Sequence, residues 1–260
     1  QNKAGCKMGS IKLWFSDLVA AVSFFTRLPL YRLIQVDGSS YGRVLPFAVP
    51  AGWIVGFASA GAWWSVSQVL PISLSAIVVI AFAVLLTGAL HEDGFADFAD
   101  GFGGGHTKES ILAIMKDSHI GTYGVIALVM LFGMRFSLLT SCPPQKVWLL
   151  LVGGAAVGRY VGVLLPNMLP YARTIETSKI QVGLVPMSYL QLSISSLLVG
   201  ITSYLTFGVL GLYALMLAMM LLPTLSSYIK RKIGGYTGDC CGMLIVAAEL
   251  LWGMVVVALC

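Results

Sequence analysis

The sequence predicts an all-α, polytopic integral membrane bundle of about seven transmembrane helices, plus an N-terminal helix that lies at the interface or re-enters it. Three observations carry this expectation. The chain is 58% hydrophobic and only 10% charged, whereas a soluble domain carries about 25% charged residues. Its mean hydropathy is +0.89. Its apolar runs are long enough to cross a hydrocarbon core, which needs about 20 helical residues.

The elements follow in order. Residues 13–28 are apolar but contain Asp17 and end in Arg27-Leu28-Pro29, which suits an interfacial or re-entrant helix. Residues 44–70 and 72–90 carry no charge and give the first two spans. Residues 121–140, interrupted by Arg135, give the third, and residues 147–166, with Arg159 in their second half, the fourth. Residues 189–228 are twice as long as one span and read as two helices with a tight turn near Gly208 and Gly211. Residues 240–260 are the last, and they contain Glu249. Residues 11–260 thus read as one membrane domain behind a polar tail of residues 1–10, which lacks the small-residue cleavage pattern of a secretory signal. The five cysteines show no paired metal spacing and read as small apolar packers.

With the N-terminal helix non-spanning, the loops sort by charge. One side receives Arg27, Arg32, Arg43, the loop of residues 91–120, the loop with Arg173 and Lys179, and Lys230-Arg231-Lys232. The other receives short turns around Pro71, Gly208 and Pro143-Pro144-Gln145-Lys146. The positive-inside rule makes the charged side cytoplasmic, so the chemistry faces the cytoplasm. The basic residues are scattered and form no stripe with aromatics, so nucleic acid is excluded as a partner. They serve as anchors near anionic lipid or, at helix ends, as cations for an anionic substrate.

The acidic residues are concentrated. Residues 91–105 read His-Glu-Asp-Gly-Phe-Ala-Asp-Phe-Ala-Asp-Gly-Phe-Gly-Gly-Gly and hold Glu92, Asp93, Asp97 and Asp100, four of the 11 acidic residues in the chain. Asp93, Asp97 and Asp100 stand at i, i+4 and i+7, which puts them within about 60° of one another on a helix. Like charges so arranged repel, and they are costly at the mouth of a membrane helix without a partner. Carboxylate-only ligation suits a hard cation such as Mg²⁺ shared with substrate phosphates, so the segment reads as a metal–diphosphate site. The Asp-Gly pairs and Gly103-Gly104-Gly105 permit close backbone approach to a ligand.

Two further segments border the spans. Residues 109–115 read as an amphipathic surface helix followed by Lys116-Asp117-Ser118-His119-Ile120-Gly121, in which Asp117 and Ser118 are either ligands of a metal or phosphate or caps of the next helix. Gly234-Gly235-Tyr236-Thr237-Gly238-Asp239 opens the last span, where a Gly-rich turn offers backbone N–H groups to an anion and Asp239 offers another metal ligand. Glu249 is either functional or paired with Arg135 or Arg159.

The ordered motifs His91-Glu-Asp-Gly-x-Ala-Asp-x-x-Asp-Gly, Lys116-Asp-Ser-x-Ile-Gly-Thr-Tyr-Gly and Gly235-x-Thr-Gly-Asp239 resemble the cobalamin synthase family, the adenosylcobinamide-GDP ribazoletransferases. Phe25-Thr-Arg-Leu-Pro29, Arg159, Tyr171-Ala-Arg173 and Glu249 fit the same family, and the resemblance runs from about residue 13 to the C-terminus. His119 departs from it, standing where a basic Arg is expected, and so does Cys240-Cys241 after the last Asp.

The resemblance implies a phosphoryl-type transfer. A ribose hydroxyl of α-ribazole, or of its 5′-phosphate, attacks the cobinamide-side phosphate of adenosylcobinamide-GDP, and GMP leaves. It implies Mg²⁺ held by Asp93, Asp97 and Asp100 with Asp239. Arg27, Lys116, Asp117, Ser118, Arg159, Arg173, Thr237 and Gly238 would bind substrate, and Glu92 or Asp97 would accept the hydroxyl proton. Oligomers are possible.

Two rivals share some of these features. The CDP-alcohol type of membrane phosphotransferase also uses Asp-rich helix ends. Its motif runs Asp-Gly-x-x-Ala-Arg, however, and here Asp97 follows Ala96 and Asp100 comes too soon. A transporter would line an ion path with Glu249 and Arg135. The chain shows no internal repeat, and its polar residues crowd one face. The bulky corrinoid would need a wide cleft with aromatics such as Trp53, Trp63 or Trp64 nearby, although these also suit a lipid belt.

Overall fold

The computed structural model describes residues 3–32, 34–173 and 184–260, with side chains from residue 13 onward except that of residue 31. Lys179 and the side chains of the polar tail lie outside the described residues. The helices are α1 (Lys3–Phe25), α2 (Ala48–Val66), α3 (Ile72–Thr87), α4 (Leu90–Gly104), α5 (Lys108–Ile114), α6 (Thr122–Ser141), α7 (Val147–Val163), α8 (Leu165–Met168), α9 (Tyr189–Met219), α10 (Leu221–Ile233) and α11 (Gly238–Leu259). Among the described residues the β-structure is a single bridge, Tyr171 to Tyr236.

Among the described residues five helical stretches are long and apolar enough to cross a bilayer: Leu45–Val66, Thr122–Ser141, Pro144–Met168, Tyr189–Ile233 and Gly238–Leu259. Counting α3 and α4 as one bent span makes six. The sequence expectation of about seven differs because Tyr189–Ile233, 45 residues long, is broken at Phe207 and at Gly208, whose φ is 58°. A Cβ on Gly211 would overlap the Ser203 carbonyl oxygen, whereas eight residues of straight helix would separate these positions by about 12 Å. The chain therefore turns back sharply where the sequence predicts, and the stretch forms two helical segments. The apolar part of α1, Leu13–Phe25, is too short to cross. It is tied down where Arg43 donates Nε and Nη2 to the two oxygens of Asp17, both at 2.9 Å.

α7 is the axis of the bundle. From Val152 to Val163 every residue is buried, and the helix packs on α2, α9 and α11. Lipid tails are as apolar as leucine, so helices associate in a bilayer largely by close packing of small residues. The seams show this. A Cβ on Gly52 of α2 would lie 2.7 Å from the Ala155 oxygen, and one on Gly56 would lie 2.6 Å from the Val152 Cα. On the other side of α7, a Cβ on Gly162 would lie 2.8 Å from the Cys241 oxygen of α11.

The element that positions the site is the elbow between α3 and α4. Gly88 and Ala89 are both left-handed, at φ 68° and 58°, and the two helix axes meet at 90°. Ala89 is not a glycine, so its conformation costs about 1–2 kcal/mol and is held by its surroundings. The stem of Arg27 packs across the elbow, and its backbone N–H donates to the Leu86 carbonyl at 2.7 Å. The turn drives the acidic helix sideways across the end of the bundle, against α11 and α6.

Candidate active site

Two cavities adjoin α4, and its successive residues point to different ones. The first, an end cavity of about 230 Å³, is lined by Asp93, Arg173, Gly238 and Asp239, with Phe25, Leu45, Val163 and Ile245 among its apolar walls. Asp93 is exposed into it. Asp239 comes from the first turn of α11, where a carboxylate favours the helix dipole. The two helices meet closely because residue 94 is glycine: a Cβ there would lie 3.0 Å from the Asp239 Cα.

Arg173 reaches this cavity through the one β-bridge. Ala172 N–H donates to the Tyr236 carbonyl at 2.8 Å, and Tyr236 N–H donates to the Pro170 carbonyl at 2.9 Å. Gly235 allows the approach, since a Cβ on it would overlap the Pro170 oxygen. Burial pushes the Tyr236 hydroxyl up, so it stays neutral at the site's edge. The Arg173 side chain is 4% exposed, with Nη2 at 3.7 Å from the Asp239 carboxylate. Its Nε and Nη2 have no hydrogen-bond partner among the described residues. A buried guanidinium with open donors facing a cavity is a receptor for an anion. Thr237, fully buried, caps α11 by accepting the Cys240 N–H at 3.4 Å, and its hydroxyl donates to Asp239 at 3.3 Å.

The second cavity is a chamber between α2, α3, α4, α6, α7 and α11, with a water-accessible volume of about 80 Å³. Glu92, Arg135, Arg159, Glu249, His91 and Ser59 line it. Arg135 joins two helices by pairing with Glu92 of α4 and, at 3.2 Å, with Glu249 of α11. Glu249 therefore takes the paired role that the sequence allowed for. Arg159, 2% exposed, donates Nη1 to the Ala155 carbonyl at 3.0 Å. His91 lines both cavities. It is the residue to which sequence reasoning assigned no role, and its signal was its place directly before the Glu-Asp pair.

The remaining expected site residues are distributed as follows. Asp100, 9% exposed, accepts the Gly121 N–H at 2.7 Å on one oxygen and the Gly124 N–H at 2.8 Å on the other. It thereby caps α6 from the far end of α4. Asp97 is half-buried, one turn from Asp93. Lys116, Asp117 and Ser118 are exposed and line neither cavity. His119, in place of an arginine, sits with Nδ1 2.7 Å from the Asp117 carboxylate and holds that group below the usual range. Arg27 is exposed beside the elbow. Gly101, Gly103 and Gly105 serve packing: side chains of Met115, Tyr123 and Ile111 occupy the space their Cβ atoms would need. Trp53 donates to Thr202 at 3.0 Å, while Trp63 and Trp64 face Trp148 near the turn containing Pro144 and Gln145, away from both cavities.

The Asp100 contacts give a direct expectation. Asp100→Ala strands two N–H groups, each worth about 1–3 kcal/mol when buried and unpaired. Thermal unfolding in detergent should show a clear loss of stability. An unchanged melting temperature accompanied by lost activity would instead make Asp100 a ligand.

The donor set of the end cavity fits Mg²⁺. Among the described residues no group of three His, Cys, Asp or Glu side chains converges. Mg²⁺, however, is commonly held by one or two carboxylates, with waters and substrate phosphates completing the octahedron. Asp93 and Asp239 on facing helices supply that pair.

Fold and cavities together define a polytopic membrane protein with a carboxylate–arginine site at one end of a helical bundle. The family model for cobalamin-5-phosphate synthase matches residues 17–257, and the chain belongs to that family. It is 32% identical to an adenosylcobinamide-GDP ribazoletransferase of Ralstonia pickettii over 95% of this chain and 98% of that one. It is 34% identical to the enzyme of that name from Shewanella baltica strain OS185, over 94% and 95% of the two chains. A Leptospira interrogans relative with the same name is 31% identical over 94% and 96%. No solved structure matches the chain.

Proposed function

We propose that this protein is an adenosylcobinamide-GDP ribazoletransferase of a bacterial inner membrane, with the end cavity as its active site opening to the cytoplasm. The observation that carries this reading is the meeting of Asp93, Asp239 and the buried, open-handed Arg173 in one cavity of a chain from this family. Attack on a diphosphate develops negative charge on the transferred phosphoryl and on the leaving phosphate. Arg173 and the N-terminus of α11 meet that charge with oriented donors. Asp93 and Asp239 would hold Mg²⁺, which supplies Lewis-acid polarisation and charge neutralisation at the phosphates. The acceptor hydroxyl oxygen bonds to the cobinamide-side phosphorus and the bond to GMP breaks. GMP keeps the electron pair, and the proton passes to Asp97, one turn from Asp93 on α4, or to Glu92, the neighbour of Asp93 that faces the adjoining chamber.

The orientation rests on charge. Arg27, Arg43, Arg173 and the Lys230-Arg231-Lys232 turn lie on the side of the acidic helix, and Lys146 lies at the opposite ends of α6 and α7. Purified protein in nanodiscs with Mg²⁺ should release GMP from adenosylcobinamide-GDP only when α-ribazole or its 5′-phosphate is added. Release without an acceptor, or none with both substrates present, would overturn the assignment.

A further inference from the structure

We infer that the chamber beside the end cavity holds a small cluster of ordered waters, and that through it Arg159 acts as a positioning residue for His91; this rests on the transferase reading. Ser59 Oγ, His91 Nε2, Glu92 Oε2, Arg135 Nε and Arg159 Nε are buried without a hydrogen-bond partner among the described residues, and all five residues line this one chamber. Ser59, His91, Glu92 and Arg159 are each at most 5% exposed. Buried polar groups are nearly always satisfied, by protein or by ordered water. The chamber's volume, about 80 Å³, exceeds the roughly 15 Å³ that one water position needs, and its open donors and acceptors supply the several polar partners each water requires.

Charge decides between water and an ion. Glu92 and Glu249 balance Arg135 and Arg159, so a neutral occupant leaves the chamber neutral. An added chloride or sodium ion would leave unbalanced charge among membrane helices, where it is costly. The two guanidiniums are used differently. Arg135 takes both carboxylates. Arg159 donates Nη1 to the Ala155 carbonyl at 3.0 Å, while its Nε stays open. Water carries the remaining donors of Arg159 across to Glu92, Ser59 and His91.

His91 gives the cluster its consequence. Among the described residues it is the one that lines both cavities, and its ring lies 6.0 Å from that of Phe25, a wall of the end cavity. An imidazole bound at one nitrogen is fixed in what it presents at the other. The waters at Nε2 therefore set the tilt of the ring and the hydrogen-bonding character it offers to a substrate beside Asp93, Asp239 and Arg173. Misplacing a group at the chemistry by about 1 Å costs about a hundredfold in rate. Arg159, on α7, does not line the end cavity, so its influence passes through His91.

A double-mutant cycle in nanodisc-reconstituted protein tests this. Arg159→Met keeps the bulk and removes the donors, and His91→Leu removes the ring nitrogens. Each alone should lower kcat for GMP release by about tenfold or more, with the KM for either substrate within about twofold of wild type. The double variant should be no slower than His91→Leu alone. Losses that multiply, or wild-type kcat in folded Arg159→Met, would overturn the inference. Should Arg159→Met fail to fold, Ser59→Ala, which keeps every charge, replaces it in the cycle with a smaller loss, and multiplying losses there count equally against the inference. Water-edited solid-state NMR on arginine-labelled protein reads the chamber without any activity. The Arg159 guanidinium, identified by its absence in an Arg159 variant, should receive magnetisation from water although it is only 2% exposed. A dry Arg159 would overturn the water cluster, and so would GMP release that requires chloride, which would make the occupant an anion. Absence of all GMP release by wild type would remove the transferase reading instead, and the NMR measurement then decides the chamber alone.

Discussion

Asp93→Asn is expected to lower turnover by about three orders of magnitude or more with the protein still folded. The change is isosteric and removes charge from a residue exposed into the end cavity, so its cost to stability stays within about 0.5 kcal/mol. Its cost to chemistry is large because Asn cannot supply the anionic oxygen that holds Mg²⁺ against the phosphates. Asp239→Asn should lose activity similarly. It should also lose a little stability, because Asp239 opposes the Arg173 guanidinium and sits at the positive end of α11. Steady-state GMP release over a range of Mg²⁺ concentrations, alongside melting curves, is the measurement. Near-normal turnover in both variants at low Mg²⁺ would remove the metal role from this carboxylate pair.

The membrane fold was legible in the sequence because uncharged apolar runs of this length rarely suit anything but a bilayer. Even the turn at Gly208 was marked, since 40 apolar residues exceed one bilayer crossing. The acidic helix was legible as a helix, but its grouping of Asp93, Asp97 and Asp100 was only partly so. Helical spacing fixes angle, not depth: Asp93 and Asp100 share a face yet stand about 10 Å apart along the axis. At that distance Asp100 meets the start of α6, while Asp93 meets α11. The neighbour Glu92, about 100° away around the helix, faces the other cavity. The 90° elbow was hidden, because nothing local in Ala89 announces a left-handed backbone. Arg173 and Asp239 were both marked as candidates, but their meeting depends on a two-residue bridge between distant loops, which pattern alone does not encode.

Arg135→Leu is expected to destabilise the protein by roughly 3–5 kcal/mol, the usual cost of leaving a buried ion pair with one partner. Arg135 is 14% exposed and holds carboxylates from two helices at once. Its removal leaves Glu92 and Glu249 facing each other inside the bilayer, where unpaired charge is most costly. Arg135→Lys should recover only part of the loss, because a single ammonium does not reproduce the fork that reaches both carboxylates. The triple variant Arg135→Met, Glu92→Gln, Glu249→Gln should recover only part of the stability, since it removes the clamp's charges together but leaves the buried Arg159 guanidinium without a facing carboxylate. Melting temperature in a fixed detergent and the yield of monodisperse protein check this. Arg135→Leu melting like wild type would mean that the carboxylates are protonated or solvated, and that the clamp does not hold α4 to α11. If the clamp does hold, the triple variant has a further use. It neutralises Glu92, Arg135 and Glu249 and leaves Asp93 and Asp239 in place, so any activity it retains measures how much these three charged groups contribute beyond holding the helices together.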